Sequence, residues 1–283
     1  MASIECRSAQ RGVRSVLVEV DGITDSQVNA ARVRLEQLLD CGGQISTAVA
    51  KAFLNAVANS PYANPSDVWQ HVIYRHLINI GWSDNRWKRV SGFALERAIV
   101  ELYTPRLKPH DIRMRIVPSS DANRLLKDLN IHDTQASKVD LFLEGKVNGV
   151  WRVFGAVHVK SSIAERIQDD VPASRAFMDR GLLSIAATMD AKSYPPPHGS
   201  CINFGELGGR SHGVDKDRIK RNYVEVDGQF DALFSFNLRT PPSPSNTQSG
   251  KRIHTMSLHE DQPDQLVHFL IGHWVSHATN VTI

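Results

Sequence analysis

Asp140 and Lys160 stand near the ends of two apolar runs that a hairpin signal joins. Lys138-Val-Asp-Leu-Phe-Leu143 and Trp151-Arg-Val-Phe-Gly-Ala-Val-His-Val-Lys160 are rich in β-branched and aromatic residues, as buried strands are. The segment Glu144-Gly-Lys-Val-Asn148-Gly149 between them ends in Asn-Gly, a dipeptide suited to a tight turn between antiparallel strands. Pairing the two runs brings a carboxylate and an ammonium together at one end of a sheet. Hydrolysis of a phosphodiester needs a divalent cation held by oxygens, a water aimed in line and a positive charge near the attacked phosphate. Asp140 and Lys160 supply part of that set.

A second carboxylate is missing from its usual place. Nucleases of the PD-(D/E)xK type carry an acid two residues before the lysine, and here that position is His158. A hard cation prefers oxygen to imidazole, so the acid has to come from elsewhere. Asp170, Asp169 and Glu96 are the candidates. Glu96 lies in Gly92-Phe-Ala-Leu-Glu-Arg-Ala-Ile-Val-Glu-Leu-Tyr103, whose Phe93, Ala94, Ala98, Ile99 and Leu102 outline a helix. Glu96 falls near that apolar face, whereas Glu101 points away from it.

These residues need a scaffold, and the sequence outlines one. Helices are expected at Ser26–Leu39 (stopped by Asp40-Cys-Gly-Gly43), at Ser46–Ala58, and from Asn64-Pro65, an N-cap followed by Pro at the first helical position. The first ninety or so residues therefore read as helical. Asp111–Val117 alternates as a half-buried strand does, and a short helix follows over Ala122–Leu129. After Lys160 comes a polar segment, then a helix expected from Pro172 to Lys192. Cys201–Phe204, Phe230–Phe236 and Arg252–Leu258 read as further strands, and a last helix covers Pro263–His277. Thr240–Gly250, rich in Pro and Ser, reads as a mobile surface loop. The expected fold is α/β: a restriction-endonuclease-like mixed central sheet flanked by helices with a helical N-terminal layer. The division is a helical N-terminal subdomain over 1–86 and a nuclease core with DNA-recognition elements over 87–283.

Composition narrows the class further. Of 283 residues, 41% are hydrophobic and 22% charged, as in ordinary globular proteins. The 33 Lys+Arg against 30 Asp+Glu leave a formal charge of +3, which permits a nucleic-acid partner without demanding one. Cys6, Cys41 and Cys201 are widely spaced, so neither a disulfide framework nor a zinc knuckle is expected. With no secretory h-region and no run of eighteen apolar residues, a cytoplasmic protein without a membrane is expected. His273 and His277 have metal-ligand spacing, but the Glu of an HExxH motif is absent. Gly205-Glu-Leu-Gly-Gly209 lacks the Lys-Ser/Thr of a phosphate loop.

Two longer segments are more specific. Lys160-Ser-Ser-Ile-Ala-Glu165-Arg166-Ile-Gln-Asp-Asp170-Val-Pro-Ala-Ser174, continuing to Lys192, together with Gly92–Tyr103, resembles the type II restriction endonucleases that recognise CCGG-containing sites, the AgeI and BsaWI branch. The resemblance covers roughly 87–192. It implies that Asp140 and Asp170 bind Mg²⁺, that Lys160 orients the attacking water and stabilises the phosphorane, and that Glu96 is an outer-sphere acid. It further implies that Glu165 and Arg166 read the CCGG core, with Lys192 adding a guanine contact. An arginine can donate two bonds to guanine O6 and N7, and a carboxylate can accept from cytosine N4. The implied partners are double-stranded DNA, a second copy of the chain on a palindrome, and a cognate DNA methyltransferase that protects host sites. Cleavage before the first C would leave a four-base 5′ overhang. Arg86, Lys88, Arg89, Lys216, Arg218, Lys220 and Arg221 are candidates for phosphate contacts. Two rival readings are a structure-specific or repair nuclease of the same core and a non-catalytic, sequence-specific DNA-binding module.

Overall fold

A computed structural model describes residues 1–6, 15–132, 134–163, 166–192, 202–207, 219–258 and 264–281. The chain opens on an antiparallel hairpin, β1 (Ala2–Cys6) and β2 (Val16–Val20). The N-terminal layer therefore includes two strands, whereas the sequence predicts helices alone. Ala2, Ile4 and Cys6 alternate with exposed residues and are buried, a period of two too short to stand out by eye. Helix α1 (Asp25–Asp40) starts at a capping box, in which Thr24 and Gln27 satisfy each other's backbone N–H groups. Then come α2 (Ile45–Asn59) and α3 (Pro65–Asp67), the latter capped by Asn64. Val68–Tyr74 widens into a π-helix before α4 (Arg75–Asn79). The long α5 (Asp84–Leu107) carries Glu96 on its buried side.

The six-stranded sheet follows, with α6 (Ser119–Asp128) between β3 (Ile112–Arg115) and β4 (Leu141–Val147). Strand β4 turns through Asn148-Gly149, both at positive φ, into β5 (Val150–Lys160). Helix α7 (Arg166–Met178) crosses to β6 (Leu183–Thr188). Next are α8 (Ile219–Glu225), β7 (Ala232–Ser235), β8 (Arg252–Thr255) and α9 (Gln265–Val281). The spatial order is β3-β4-β5-β6-β7-β8: the first two pairings are antiparallel and the last three parallel. This is the mixed sheet that the sequence predicts.

The strands alternate between two cores. Leu141, Leu143, Val157, Val159, Leu183, Ile185 and Phe234 face the layer built from α1, α2, α5 and α9. Phe142 and Ala156 join Phe177, and Ala186, Leu233 and Ile253 join Ile163 and Ile167, on the side covered by α6, α7 and α8. The first core includes residues from Ala2 to Trp274, so the apolar interior runs unbroken past position 86.

Two expectations fail in the middle of the chain. No single helix covers 172–192. Helix α7 starts at Arg166, six positions before Pro172, and ends at Met178. A turn with Gly181 at φ +69 leads into a strand whose six residues are all buried. Leu-Ser-Ile-Ala-Ala-Thr is apolar on both sides because parallel strands are covered on both faces, and such a run cannot be told from a buried helix by periodicity. Ile202–Phe204 is irregular instead of a strand, and Cys201 lies outside the described residues. The Pro/Ser-rich loop is also tied down, by Ser243 N to Ile253 O at 2.9 Å, Ser249 N to Glu225 O at 2.9 Å and Arg221 Nη1 to Pro241 O at 2.8 Å.

Lys160 depends on the register between β5 and β6, where Gly155 lies opposite Leu183. A Cβ at Gly155 would stand 2.5 Å from Leu183 O and 2.7 Å from its Cβ. Because both neighbours are strand atoms that cannot move aside, Gly155→Ala should lower stability by about 1–3 kcal/mol. Thermal unfolding would check this, and an unchanged Tm would show that the strand spacing is not tight.

Candidate active site

The end of β5 and the residue just before β4 meet as their pairing requires. Asp140 Oδ2 accepts from Val159 N at 2.6 Å and from Lys160 Nζ at 3.1 Å. On the other side, Lys160 Nζ lies 2.7 Å from Asp170 Oδ2. Asp170 belongs to the second turn of α7, and its side chain is only 5% exposed. Two carboxylates from different elements therefore converge on one ammonium. Burial alone would depress the lysine's proton affinity, but Asp140 and Asp170 outweigh it and hold its pKa above the ordinary value. Lys160 is a cation at neutral pH.

His158, two residues earlier, faces the same side of the sheet. It is fully buried, with Nε2 3.2 Å from Ser184 Oγ and its ring edge-on to Phe230. Its Nδ1 is 3.9 Å from Asp170 Oδ2, beyond hydrogen-bond range. Burial lowers its pKa, against the pull of Asp170 and Asp140. The imidazole is thus a neutral core group beneath Asp170. Asp169, one position before Asp170, is exposed.

Glu96 approaches from the other side of the sheet, out of α5. Burial first, then the charge of Asp140, raises its pKa to about 7, with Lys160 and Arg97 opposing. Glu96, Asp140, Lys160, Asp169, Asp170 and Lys192 all line one cleft of about 590 Å³. Trp69, Gln70, Tyr74, Trp87 and Lys88 form its far wall. Sequence reasoning passed over Trp69 and Gln70: a π-helix widens the backbone at that point and has no clear residue signature. Among the described residues, no three His, Cys, Asp or Glu gather closely enough to form a closed metal cage. His273 stacks on Phe269 and His277 on Trp274.

The expected base-reading residues are spread differently. Glu165 lies outside the described residues, as do Lys216 and Arg218. Arg166 is the first residue of α7. Lys192 does not end a helix. It follows β6, where its backbone N–H donates to Asn203 Oδ1 at 2.7 Å and its ammonium pairs with Glu206. Lys220 Nζ reaches the same Glu206 oxygen at 2.7 Å. Neither Glu206 nor its anchor, Asp190, stood out in the sequence. Asp190, buried and at φ +45, accepts from Glu206 N at 2.6 Å and Thr240 Oγ1 at 3.0 Å. Burial raises its pKa to about 6 despite those donors. Gly205 is required beside it, since a Cβ there would lie 2.1 Å from Asp190 Oδ2. Of the expected phosphate contacts, Arg86 lies over the Trp82 ring at 3.9 Å and Lys88 lines the cleft. Arg221 is instead buried: Glu225, Leu207 O and Pro241 O engage its guanidinium.

Glu96 gives a pH signature. Its ordinary pKa is 4.5 and its folded value about 7, so between those values the unfolded chain has released a proton that the folded chain keeps. Stability attached to this group is full below pH 4.5 and is lost as pH rises through 7. In metal-free protein, Glu96→Gln should match the parent at pH 4 and exceed it by about 3 kcal/mol at pH 8. Denaturant unfolding at the two pH values measures the difference, and equal stability at pH 8 would show that Glu96 ionises freely.

No family model matches the chain. The type II restriction enzyme AgeI of Thalassovita gelatinovora is 42% identical over 235 residues, which is 80% of this chain and 83% of that protein. The crystal structure of the specific AgeI–DNA complex superposes with a TM-score of 0.85 at 35% identity, covering 96% of this chain and 99% of that one. A pre-specific BsaWI–DNA complex is a more remote likeness, at TM-score 0.43 and 18% identity over 89% of this chain and 94% of that one. With that identity over four-fifths of its length, and with the same mixed sheet, the chain belongs to the AgeI family of type II restriction endonucleases and is a site-specific DNA endonuclease.

Proposed function

We propose that this endonuclease cuts both strands of a six-base-pair palindrome centred on CCGG, with Mg²⁺, before the first C, leaving 5′-phosphates on four-base 5′ overhangs. The observation that carries the catalytic part is the convergence of Asp140 and Asp170 on Lys160 Nζ, at 3.1 and 2.7 Å. Two carboxylates fit Mg²⁺, a hard cation that is usually held by one or two carboxylates and not by an all-protein cage. Asp140 and Asp170 would hold it, with Glu96 behind them through water. The ion would supply charge neutralisation at the phosphate and a more acidic bound water.

The remaining steps fall to this chain's side chains. Lys160, a cation between two carboxylates, orients the attacking water by hydrogen bonding and faces the negative charge that develops on the phosphorane. Asp140 is fixed by Val159 N, so its carboxylate cannot swing away as substrate enters. Glu165 and Arg166 read the C·G pairs and Lys192 adds a guanine contact. Lys160 and Arg166 are six residues apart, so seating of the readers and placement of the lysine are linked through the chain. A two-fold site calls for two copies of the chain, and a cognate methyltransferase would protect host DNA. The described chain has no helix long and apolar enough to cross a membrane, and action in the cytoplasm follows from its substrate.

Plasmid DNA incubated with the protein and Mg²⁺ should give discrete fragments, and sequencing their ends should place every cut before the first C of CCGG. Random ends would contradict the site, and a specific gel shift without fragments would contradict catalysis. Lys160→Ala should slow cleavage by at least about a thousandfold, the scale of losing a main electrostatic stabiliser, while specific DNA binding persists. Glu165→Ala should cut near-cognate sites almost as well as CCGG sites. If it keeps full discrimination, Glu165 does not read bases.

A further inference from the structure

Glu206 has no part in the chemistry above, yet its carboxylate pairs with Lys192, which lines the cleft. Its carboxylate is 5% exposed and accepts from three directions. Oε1 takes the ammonium of Lys192 and, at 2.7 Å, that of Lys220; Oε2 takes Ser162 Oγ at 3.0 Å. Each partner comes from a different element. Ser162 follows β5 two residues after Lys160, Lys192 follows β6, and Lys220 is in α8. The carboxylate itself is held in place, since Glu206 N and Leu207 N both donate to buried Asp190. Backbone bonds from Met189 N to Lys160 O at 3.1 Å and from Ala191 N to Ser161 O at 3.0 Å carry the strand pairing on into this region.

Among the described residues, one buried carboxylate therefore stands under two ammonium groups. Each ammonium has three donors, and the two lysine side chains keep 33% and 25% exposure. Glu206 thus fixes where the lysines stand while both side chains still reach solvent at the cleft. We propose that Glu206 is a specificity-positioning residue: it sets Lys192 for its guanine contact and, through Ser162, couples that contact to the strand end bearing Lys160. This rests on the base-reading role given to Lys192 above. Losing the carboxylate would remove a negative charge beside two ammonium groups and loosen their placement, which raises sequence-independent phosphate binding while blurring base discrimination.

The test compares the parent with Glu206→Gln, Lys192→Ala and the double variant, each first shown by thermal melting to be folded. Single-turnover cleavage with Mg²⁺ is measured on a CCGG duplex and on one carrying a single substitution in the core. Affinity for a duplex without any such site is measured over a range of salt. Glu206→Gln should lower the cognate-to-substituted rate ratio by about tenfold, the scale of one well-placed base contact, and should bind site-free DNA more tightly. In the Lys192→Ala background the same change should alter the ratio less than about twofold, as expected when one residue acts through the other. An equal loss in that background, or none in either, overturns the proposal. A Lys192→Ala protein with undiminished discrimination would instead overturn the base-reading assignment of Lys192. If Glu206→Gln does not fold, Ser162→Ala decides: it should lower the ratio severalfold, and an unchanged ratio refutes the coupling.

Discussion

One ion cluster determines the rest of the structure. Lys160, Asp140 and Asp170 are each largely withdrawn from water, and stripping a partner from such a group leaves an uncompensated buried charge. The three therefore have to be delivered together, and they come from the residue before β4, the end of β5 and the second turn of α7. The sheet satisfies this condition with two kinds of pairing. Antiparallel β4–β5 brings Asp140 alongside Lys160. Parallel β5–β6 requires a crossover on one face, and α7 is that crossover, so Asp170 arrives over the lysine. The mixed sheet is what allows a carboxylate from each side.

The displaced acid follows from the same geometry. A side chain two residues before Lys160 shares its face of β5, and there α7 covers the sheet. An imidazole at 158 can pack against Phe230 and Ser184 as a neutral group, while the helix above provides the carboxylate. In the proposed mechanism, Asp170 on that helix takes the part of the acid absent from the strand. Glu96 enters from the opposite face under weaker constraint: burial leaves its carboxyl near half-ionised at neutral pH, poised to respond to a cation.

Much of this was legible in the sequence, and the parts that were not share a cause. The hairpin carrying Asp140 and Lys160 declared itself through Asn148-Gly149 and two strand-like runs. Helices α1, α2 and α5 declared themselves through apolar stripes and, for α1, the Asp40-Cys-Gly-Gly43 stop. Over 172–192 the pattern predicts one helix because Leu183–Thr188 is apolar on both faces and Pro172 suits a first turn, whereas α7 begins at Arg166. Asp190 and Glu206 gave no signal at all. Their importance comes from contacts across long stretches of chain, between residues 190 and 240 or 206 and 162, which no local pattern encodes. Gly205 was the available clue, and it lay in a glycine-rich run whose only tested meaning was a phosphate loop.

In the proposed mechanism Asp170 on α7 is the second catalytic carboxylate. Single-turnover cleavage of a CCGG duplex by Asp170→Asn and by Asp169→Asn, over a Mg²⁺ series, tests it most directly. Asp170→Asn should lose at least about a thousandfold in rate at saturating Mg²⁺, and Asp169→Asn, altered at an exposed side chain, should stay within about threefold of the parent. An Asp170→Asn protein that cleaves at the parental rate, or an Asp169→Asn protein that is the inactive one, would contradict it.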